Sequence, residues 1–155
     1  MEIGAQGGVV RLLEVCRNGS EKAQEKAAGA LCNLAVHEGN RSKIIATGIP
    51  DLVALLTGGS SNAKENAVAC LRNLTVDKKA AKLDKAVLSD PDDPTGAKSE
   101  IVDAGALPPL IAFYDEAATP TASKLAGSLL KNLSKVEAIR EKMTSLGCPQ
   151  RVYDD

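Results

Sequence analysis

The segment "ALCNL" at residues 30–34 recurs in similar form as "CLRNL" at 70–74 and "LLKNL" at 129–133. Each copy ends an alanine-rich stretch whose apolar residues recur at the spacing of an amphipathic helix. The asparagines of the three copies therefore share one position, late in a helix: Asn33, Asn73 and Asn132. Self-similarity at a regular spacing predicts a repeat protein.

A glycine soon followed by proline marks one further point in each copy. In the first and third copies this glycine lies 15 residues after the asparagine, at Gly48 and Gly147. In the middle copy it is Gly105, 32 residues after the asparagine, which is the same interval with 17 residues inserted. Because glycine ends helices in the left-handed conformation and proline favours the first turn of the next helix, we expect a left-handed corner at each glycine.

The stretches between these marks predict three helices in each repeat of about 41 residues. A second helix follows each corner ("DLVALL", "PLIAFY", and "VVRLLEV" at the start), and the asparagine-bearing third helix comes next. Short stretches such as "NRSKIIATG" predict the first helix. At the start of two third helices we expect Thr119 to cap with Pro120 following, and Asn62 to form a capping box with Glu65.

These marks divide the chain into repeat units of similar design. One insertion, at about 77–99, holds lysines followed by aspartates, and it predicts either a solvated linker or a segment near a binding surface. The approximate units are 4–45, 46–102, 103–143 and a partial unit, 144–155. Since the first and last units are incomplete, we expect either a fragment of a longer array or self-association through uncapped repeat ends.

Composition excludes several classes of function. The chain has 155 residues, 44% of them hydrophobic, and a net charge of −1. This charge provides no basic surface for nucleic acid, and no apolar run approaches the ~20 residues of a membrane span. We therefore expect neither a nucleic-acid nor a membrane partner.

The cysteines are single and scattered, and the chain contains one histidine, His37. This pattern predicts reduced, buried thiols and no metal or other cofactor, and we expect a cytoplasmic or nuclear protein. A nucleophile built from Cys32 and His37 lacks a glycine-rich oxyanion loop, so we expect no enzyme activity. The segment "DPDDPTG" at 90–96 lacks the bidentate glutamate of a calcium loop.

Two pairs of segments resemble the armadillo repeat: "GIPDLVALL" with "ENAVACLRNLTV", and "GALPPLIAFY" with "ASKLAGSLLKNLS". The opening unit departs from the pattern, since "GAQGGVV" stands in place of the glycine–proline corner. The resemblance implies an all-α fold, a right-handed superhelix of about three repeats whose third helices line a concave groove. It also implies a non-catalytic scaffold that binds an extended peptide or a partner protein in that groove.

The resemblance assigns the three asparagines to hydrogen bonds with the backbone of a bound peptide. The alternative is that they cap local structure or stabilise the turn between repeats. Nuclear-import adaptors of this family carry a tryptophan four residues before the asparagine, and the absence of tryptophan here predicts that nuclear-localisation signals are not recognised. The residues at those positions are Gly29, Ala69 and Ser128.

Charged and polar neighbours of the asparagines are predicted to border the same binding surface. Arg72 and Lys131 directly precede their asparagines and offer a basic margin. The remaining candidates lie one helical turn away: His37, Asp77 and Ser128.

Two other functions compete with the scaffold hypothesis. One is a self-assembling structural protein whose apolar ends meet, and the other is a fragment of a larger protein, such as the substrate-recognition region of a ubiquitin ligase. Self-association would use Val9, Val10, Leu12 and Leu13 against Ile139, Met143 and Leu146.

Overall fold

The computed structural model of the chain describes residues 7–76 and 96–153, and every regular element in these ranges is helical. The described residues belong to two compact units, Met1–Leu74 and Thr75–Asp155. The helices of the first unit are α1 (Gly8–Asn18), α2 (Glu21–Leu34), α3 (Glu38–Thr47), α4 (Ile49–Gly58) and α5 (Ser61–Leu74). Those of the second unit are α6 (Ala97–Asp103), α7 (Leu107–Asp115), α8 (Pro120–Leu133) and α9 (Glu137–Ser145), with a 3₁₀ turn at Gln150–Val152.

The helices follow one another in the order predicted for the three helices of each repeat. The asparagine-bearing third helices are α2, α5 and α8, and the helices that follow the glycine corners are α4 and α7. The prediction of an all-α fold is confirmed. None of the helices in residues 7–76 and 96–153 is long and apolar enough to cross a membrane.

The core of the first unit is built where α2 packs on α5. Small side chains on both helices are buried there, among them Ala28 and Ala67, beside the larger Leu31 and Leu71. Alanine carries little bulk beyond its Cβ, so two helices that share alanine stripes approach closely. The alanine-rich composition of the third helices is explained by this contact.

Two of the three glycine corners are left-handed, as predicted. Gly105 has φ of 86° and Gly147 has φ of 78°, the region in which residues with a side chain are strained. The expectation of a left-handed Gly48 is wrong, since its φ is −111°. A Cβ on Gly48 would lie 2.9 Å from Leu13 Cδ2, so the close approach of α1 leaves little room for a side chain at this position.

Replacement of Gly48 by alanine is expected to lower the free energy of unfolding by about 1–3 kcal/mol, because the added methyl group overpacks against Leu13. Gly39→Ala is the matched control, since nothing lies within 4 Å of its Cβ position. This control is expected to raise the free energy of unfolding by up to about 1 kcal/mol through helix propensity. Urea denaturation of the two variants measures both values, and equal effects would contradict the packing role of Gly48.

The predicted start of α8 is confirmed, and that of α5 is wrong. Thr119 accepts a hydrogen bond from the Ala122 backbone N–H at 3.1 Å, and α8 begins at Pro120. The cap of α5 is Ser60, whose hydroxyl accepts from the Ala63 N–H at 3.2 Å. Asn62 already lies within the first turn of α5 and so cannot cap it.

Ser60 also joins α5 to α2. Its hydroxyl donates to Glu25 Oε1 at 2.9 Å, and the Asn66 side-chain amide donates to the Glu25 backbone carbonyl at 3.0 Å. The hydrogen bond from Ser60 lowers the pKa of the Glu25 carboxyl, and the neighbouring Lys22 and Asn62 act in the same direction. The start of α5 is thus tied to α2, one repeat earlier.

Ser60→Ala is expected to lower the free energy of unfolding at pH 7 by more than Ser20→Ala does. Both changes remove a helix cap, but only Ser60 also donates a hydrogen bond to the Glu25 carboxylate. The cap itself contributes about 1 kcal/mol in each case. Because the pKa of Glu25 is lower in the folded chain, its carboxylate stabilises the fold at pH values above the unfolded-state pKa, about 4.3. This stabilisation is lost as the pH falls through the folded-state pKa.

Urea unfolding of the two variants from about pH 7 to about pH 3 checks this expectation. The difference in their free energies of unfolding is predicted to shrink as the pH falls. A difference that is independent of pH would contradict the ionic part of the contact.

Most of the apolar residues that were expected to mediate self-association at the ends of the repeat array are not exposed. In the first unit Val9 and Leu13 are buried, and in the second Ile139 and Met143 are buried. Each packs into the core of its own unit, so this part of the self-association prediction is wrong. Val10 and Leu146 do remain exposed, at 50% and 48%.

The predicted insertion falls mostly outside the described residues. These exclude 77–95, so neither the expected linker nor an extension of a helix is described there. Its last residues enter α6, which begins at Ala97.

Candidate functional site

The three recurrent asparagines each occupy the second-to-last position of a third helix, in α2, α5 and α8. The leucine that follows each one is buried and anchors the helix end: Leu34, Leu74 and Leu133. Successive residues of a helix point about 100° apart, so an anchored leucine turns the preceding asparagine toward the edge of the core. The same local pattern thus places a carboxamide at the same point of each repeat.

Asn73 contacts the preceding repeat directly. Its Nδ2 donates to the Cys32 backbone carbonyl at 3.1 Å, and it lies 3.5 Å from the Cys32 sulfur. The two residues are 41 positions apart, which is the predicted repeat length. Asn73 therefore joins α5 to α2 near the ends of both helices.

Asn132 uses its amide group in a similar way within the second unit. Its Nδ2 donates to the Thr75 hydroxyl oxygen at 3.0 Å. Within the described residues, Oδ1 of neither Asn73 nor Asn132 accepts a hydrogen bond. In both side chains Nδ2 donates a hydrogen bond within the chain, and Oδ1 has no partner among the described residues.

Asn33 differs from the other two asparagines. It is exposed, and its side chain forms no hydrogen bond with any residue in the described ranges. It lies at a cavity of about 590 Å³ between α1 and the end of α2, here called the Asn33 cavity. The lining residues are Gly8, Arg11, Leu12, Ala30, Asn33, Leu34 and His37.

The structure brings some of the other predicted site residues close to the asparagines. His37 lies beside Asn33 in the Asn33 cavity. Arg72 and Ser128 are half-buried on their third helices, and Lys131 is exposed. Asp77 lies outside the described residues.

Five lining residues of the Asn33 cavity were not predicted as site residues, among them Arg11 and Leu12. Both lie on α1, between Val9 and Leu13, whose burial sets the orientation of the helix. The alternation of buried and accessible positions in "VVRLLEV" indicates that Arg11 faces away from the core. Its proximity to Asn33 depends on how α1 packs on α2, which the pattern alone does not give.

The cysteines have the properties of packing residues. All four are free; Cys16, Cys70 and Cys148 are buried, as predicted, whereas Cys32 is only partly buried. Burial, with a smaller contribution from Asp51, raises the pKa of the Cys16 thiol to about 11. Burial also raises the pKa of the Cys32, Cys70 and Cys148 thiols.

A raised pKa lowers the thiolate population, which is the reactive form. The sulfur of Cys32 lies against the Asn73 amide, so its described polar neighbour belongs to the repeat contact. No group of three or more His, Cys, Asp or Glu side chains within residues 7–76 and 96–153 is arranged to hold a metal ion.

Comparison with known proteins identifies the repeat. Residues 1–36 match the model of the Armadillo/beta-catenin-like repeat. No curated protein matches the sequence at a significant level.

The fold is similar to two solved structures. One is an engineered protein from a structural genomics consortium, with a TM-score of 0.71 and 24% identity over 90% of this chain and 51% of that chain. The other is a structure of computationally designed armadillo repeat proteins for modular peptide recognition, with a TM-score of 0.69 and 22% identity over 92% of this chain and 58% of that chain. The chain thus spans little more than half the length of each.

The match of residues 1–36 and the similarity of fold agree with the repeat pattern found in the sequence. Residues 1–36 match the armadillo repeat, and the fold is similar to that of designed armadillo repeat proteins; both findings agree with the predicted resemblance to the armadillo repeat.

Proposed function

We propose that the chain is a non-catalytic scaffold that binds an extended peptide segment of a partner protein along its third helices. The observation that carries this proposal is the state of the asparagine side chains. Nδ2 of Asn73 and of Asn132 donates a hydrogen bond within the chain, and Oδ1 of each has no described partner. In Asn33, neither Nδ2 nor Oδ1 has a described partner. A carboxamide oxygen accepts a hydrogen bond from a backbone N–H of the peptide, whatever side chain that residue carries. This property suits the binding of an extended ligand.

Neighbouring side chains would give the binding surface its preferences. Arg72 and Lys131 precede two of the asparagines and would supply a basic margin, and Ser128 would add a hydroxyl group. His37 lies with Asn33 at one cavity. Asp77 is kept as a candidate from its place after α5.

Several further points support a scaffold. The armadillo fold is generally a binding scaffold, and the raised thiol pKa values offer no activated nucleophile. The similar designed armadillo proteins were made for modular peptide recognition. Free, buried cysteines are typical of a reducing compartment, and we propose a cytoplasmic or nuclear location.

Self-association is a second candidate, supported only by the exposure of Val10 and Leu146. A single exposed aliphatic side chain is normal on a protein surface. The asparagine surface therefore carries the proposal.

The test starts from a display library of random 12-residue peptides panned against the immobilised chain, followed by fluorescence anisotropy of the enriched peptides. Asn33→Ala is expected to weaken binding by about 2- to 12-fold, the loss of one hydrogen bond. This variant is preferred to the other two asparagines because Asn33 makes no hydrogen bond that stabilises the described fold.

Asn18→Ala is the matched control, since Asn18 is also exposed but lies at the end of α1. Its affinity for the same peptides is expected to equal that of the unmodified chain. Failure to enrich any peptide, or affinities that alanine at Asn33, Asn73 and Asn132 leaves unchanged, would refute the proposal.

A further inference from the structure

The Asn33 cavity has a chemistry that defines its occupant more closely. We infer that it binds an acidic segment of a partner protein, in which an apolar side chain enters the cavity and a neighbouring aspartate or glutamate pairs with Arg11. The inference rests on the proposed function and specifies the partner for one end of the asparagine surface.

The apolar part of the occupant follows from the walls of the cavity. Leu12 and Leu34 provide aliphatic surface, and Gly8 and Ala30 leave space between α1 and α2. The volume of about 590 Å³ is within the range of natural ligand pockets. A branched aliphatic or aromatic side chain gains free energy by leaving water for such a surface.

The charge of the occupant follows from the polar residues at the cavity. Arg11 is its charged lining residue and His37 its titratable one, and no carboxylate is among the described residues that line it. Neither side chain forms an ion pair with a residue in the described ranges. Glu14, one turn along α1, lines the adjacent cavity together with Arg11.

A further cation lies on the same side of α2. Lys26 is seven residues before Asn33, which is two helical turns and therefore the same face. It is exposed. An approaching acidic segment meets positive charge from both helices, which also increases the rate of association.

The backbone of the occupant is indicated by comparison with Asn73. At the equivalent position of the next repeat, Nδ2 donates to a backbone carbonyl, that of Cys32, at 3.1 Å. Asn33 has the same donor with no acceptor among the described residues. A peptide carbonyl of the partner completes this bond and fixes the segment beside Arg11.

A second copy of the chain is a poorer occupant. If repeats of two copies stacked as α5 stacks on α2, the third helix α8 of one copy would lie against α2 of the other. Lys124 and Lys131 are exposed on α8, so this stacking would bring further positive charge toward the helix that carries Lys26. Like charges in contact oppose association.

The experiment uses two synthetic probes and the full chain labelled with ¹⁵N. The acidic probe is acetyl-Leu-Asp-Leu-Asp-Leu-amide, and the neutral probe replaces each aspartate by asparagine. Titration is followed by the backbone amide shifts of residues 8–12 and 30–37. We expect the acidic probe to bind there about fivefold more tightly than the neutral one, the effect of an exposed ion pair.

Arg11→Gln is expected to remove this preference. Lys135→Gln is the matched control, because Lys135 is an exposed cation at the end of α8 in the other unit, and it is expected to retain the preference. Urea denaturation of both variants verifies that they are folded.

Several results would overturn the inference. One is equal binding of the two probes at residues 8–12 and 30–37, and another is an acidic preference that Arg11→Gln leaves intact. If the probes shift amides only near Asn73 or Asn132, the proposed function stands and the acidic site does not. Binding of neither probe at any of the three asparagines overturns the inference, and the library selection then decides the proposed function separately.

Discussion

The contact between consecutive third helices, α2 and α5, is the interaction on which the first unit depends. Small buried residues bring the two helices together, and side-chain amides of one repeat then reach backbone carbonyls of the repeat before it. Asn66 bonds to Glu25 and Asn73 to Cys32, each across 41 residues. A helix that buries only one face is stabilised chiefly by its neighbours, so the repeats are stable only when they stack.

The same contact shows how one residue type can stabilise the stacked repeats and still keep a free acceptor for the binding role proposed above. A carboxamide has two kinds of hydrogen-bonding atom, and stacking uses only the donor of Asn73. Oδ1 of Asn73 and of Asn132 has no partner among the described residues. Asn33 is the exception, because no described residue occupies its donor, and it stands in a cavity of positive character.

Much of this architecture was predictable from the sequence because it depends on local, recurrent patterns. The recurrence of the asparagine, the alanine stripes and the cap at Thr119 are properties of short segments, and the structure agrees with them. Gly48 was predicted as a corner for the wrong reason, since the close approach of Leu13 comes from packing between helices. Asn62 was mistaken for a cap because Ser60, two residues earlier, has the same capping chemistry. Arg11 was missed because its nearness to Asn33 arises only when α1 packs on α2.

Asn73 links two repeats, whereas Asn33, in the same position, makes no hydrogen bond with a described residue. The free energies of unfolding of Asn73→Ala and Asn33→Ala, measured by urea denaturation in parallel, test this difference. Asn73→Ala is expected to lower the free energy of unfolding by about 0.5–1.5 kcal/mol, while Asn33→Ala is expected to change it by less than about 0.5 kcal/mol, as for an ordinary surface residue. Equal losses for the two variants, or a larger loss for Asn33→Ala, would contradict this expectation.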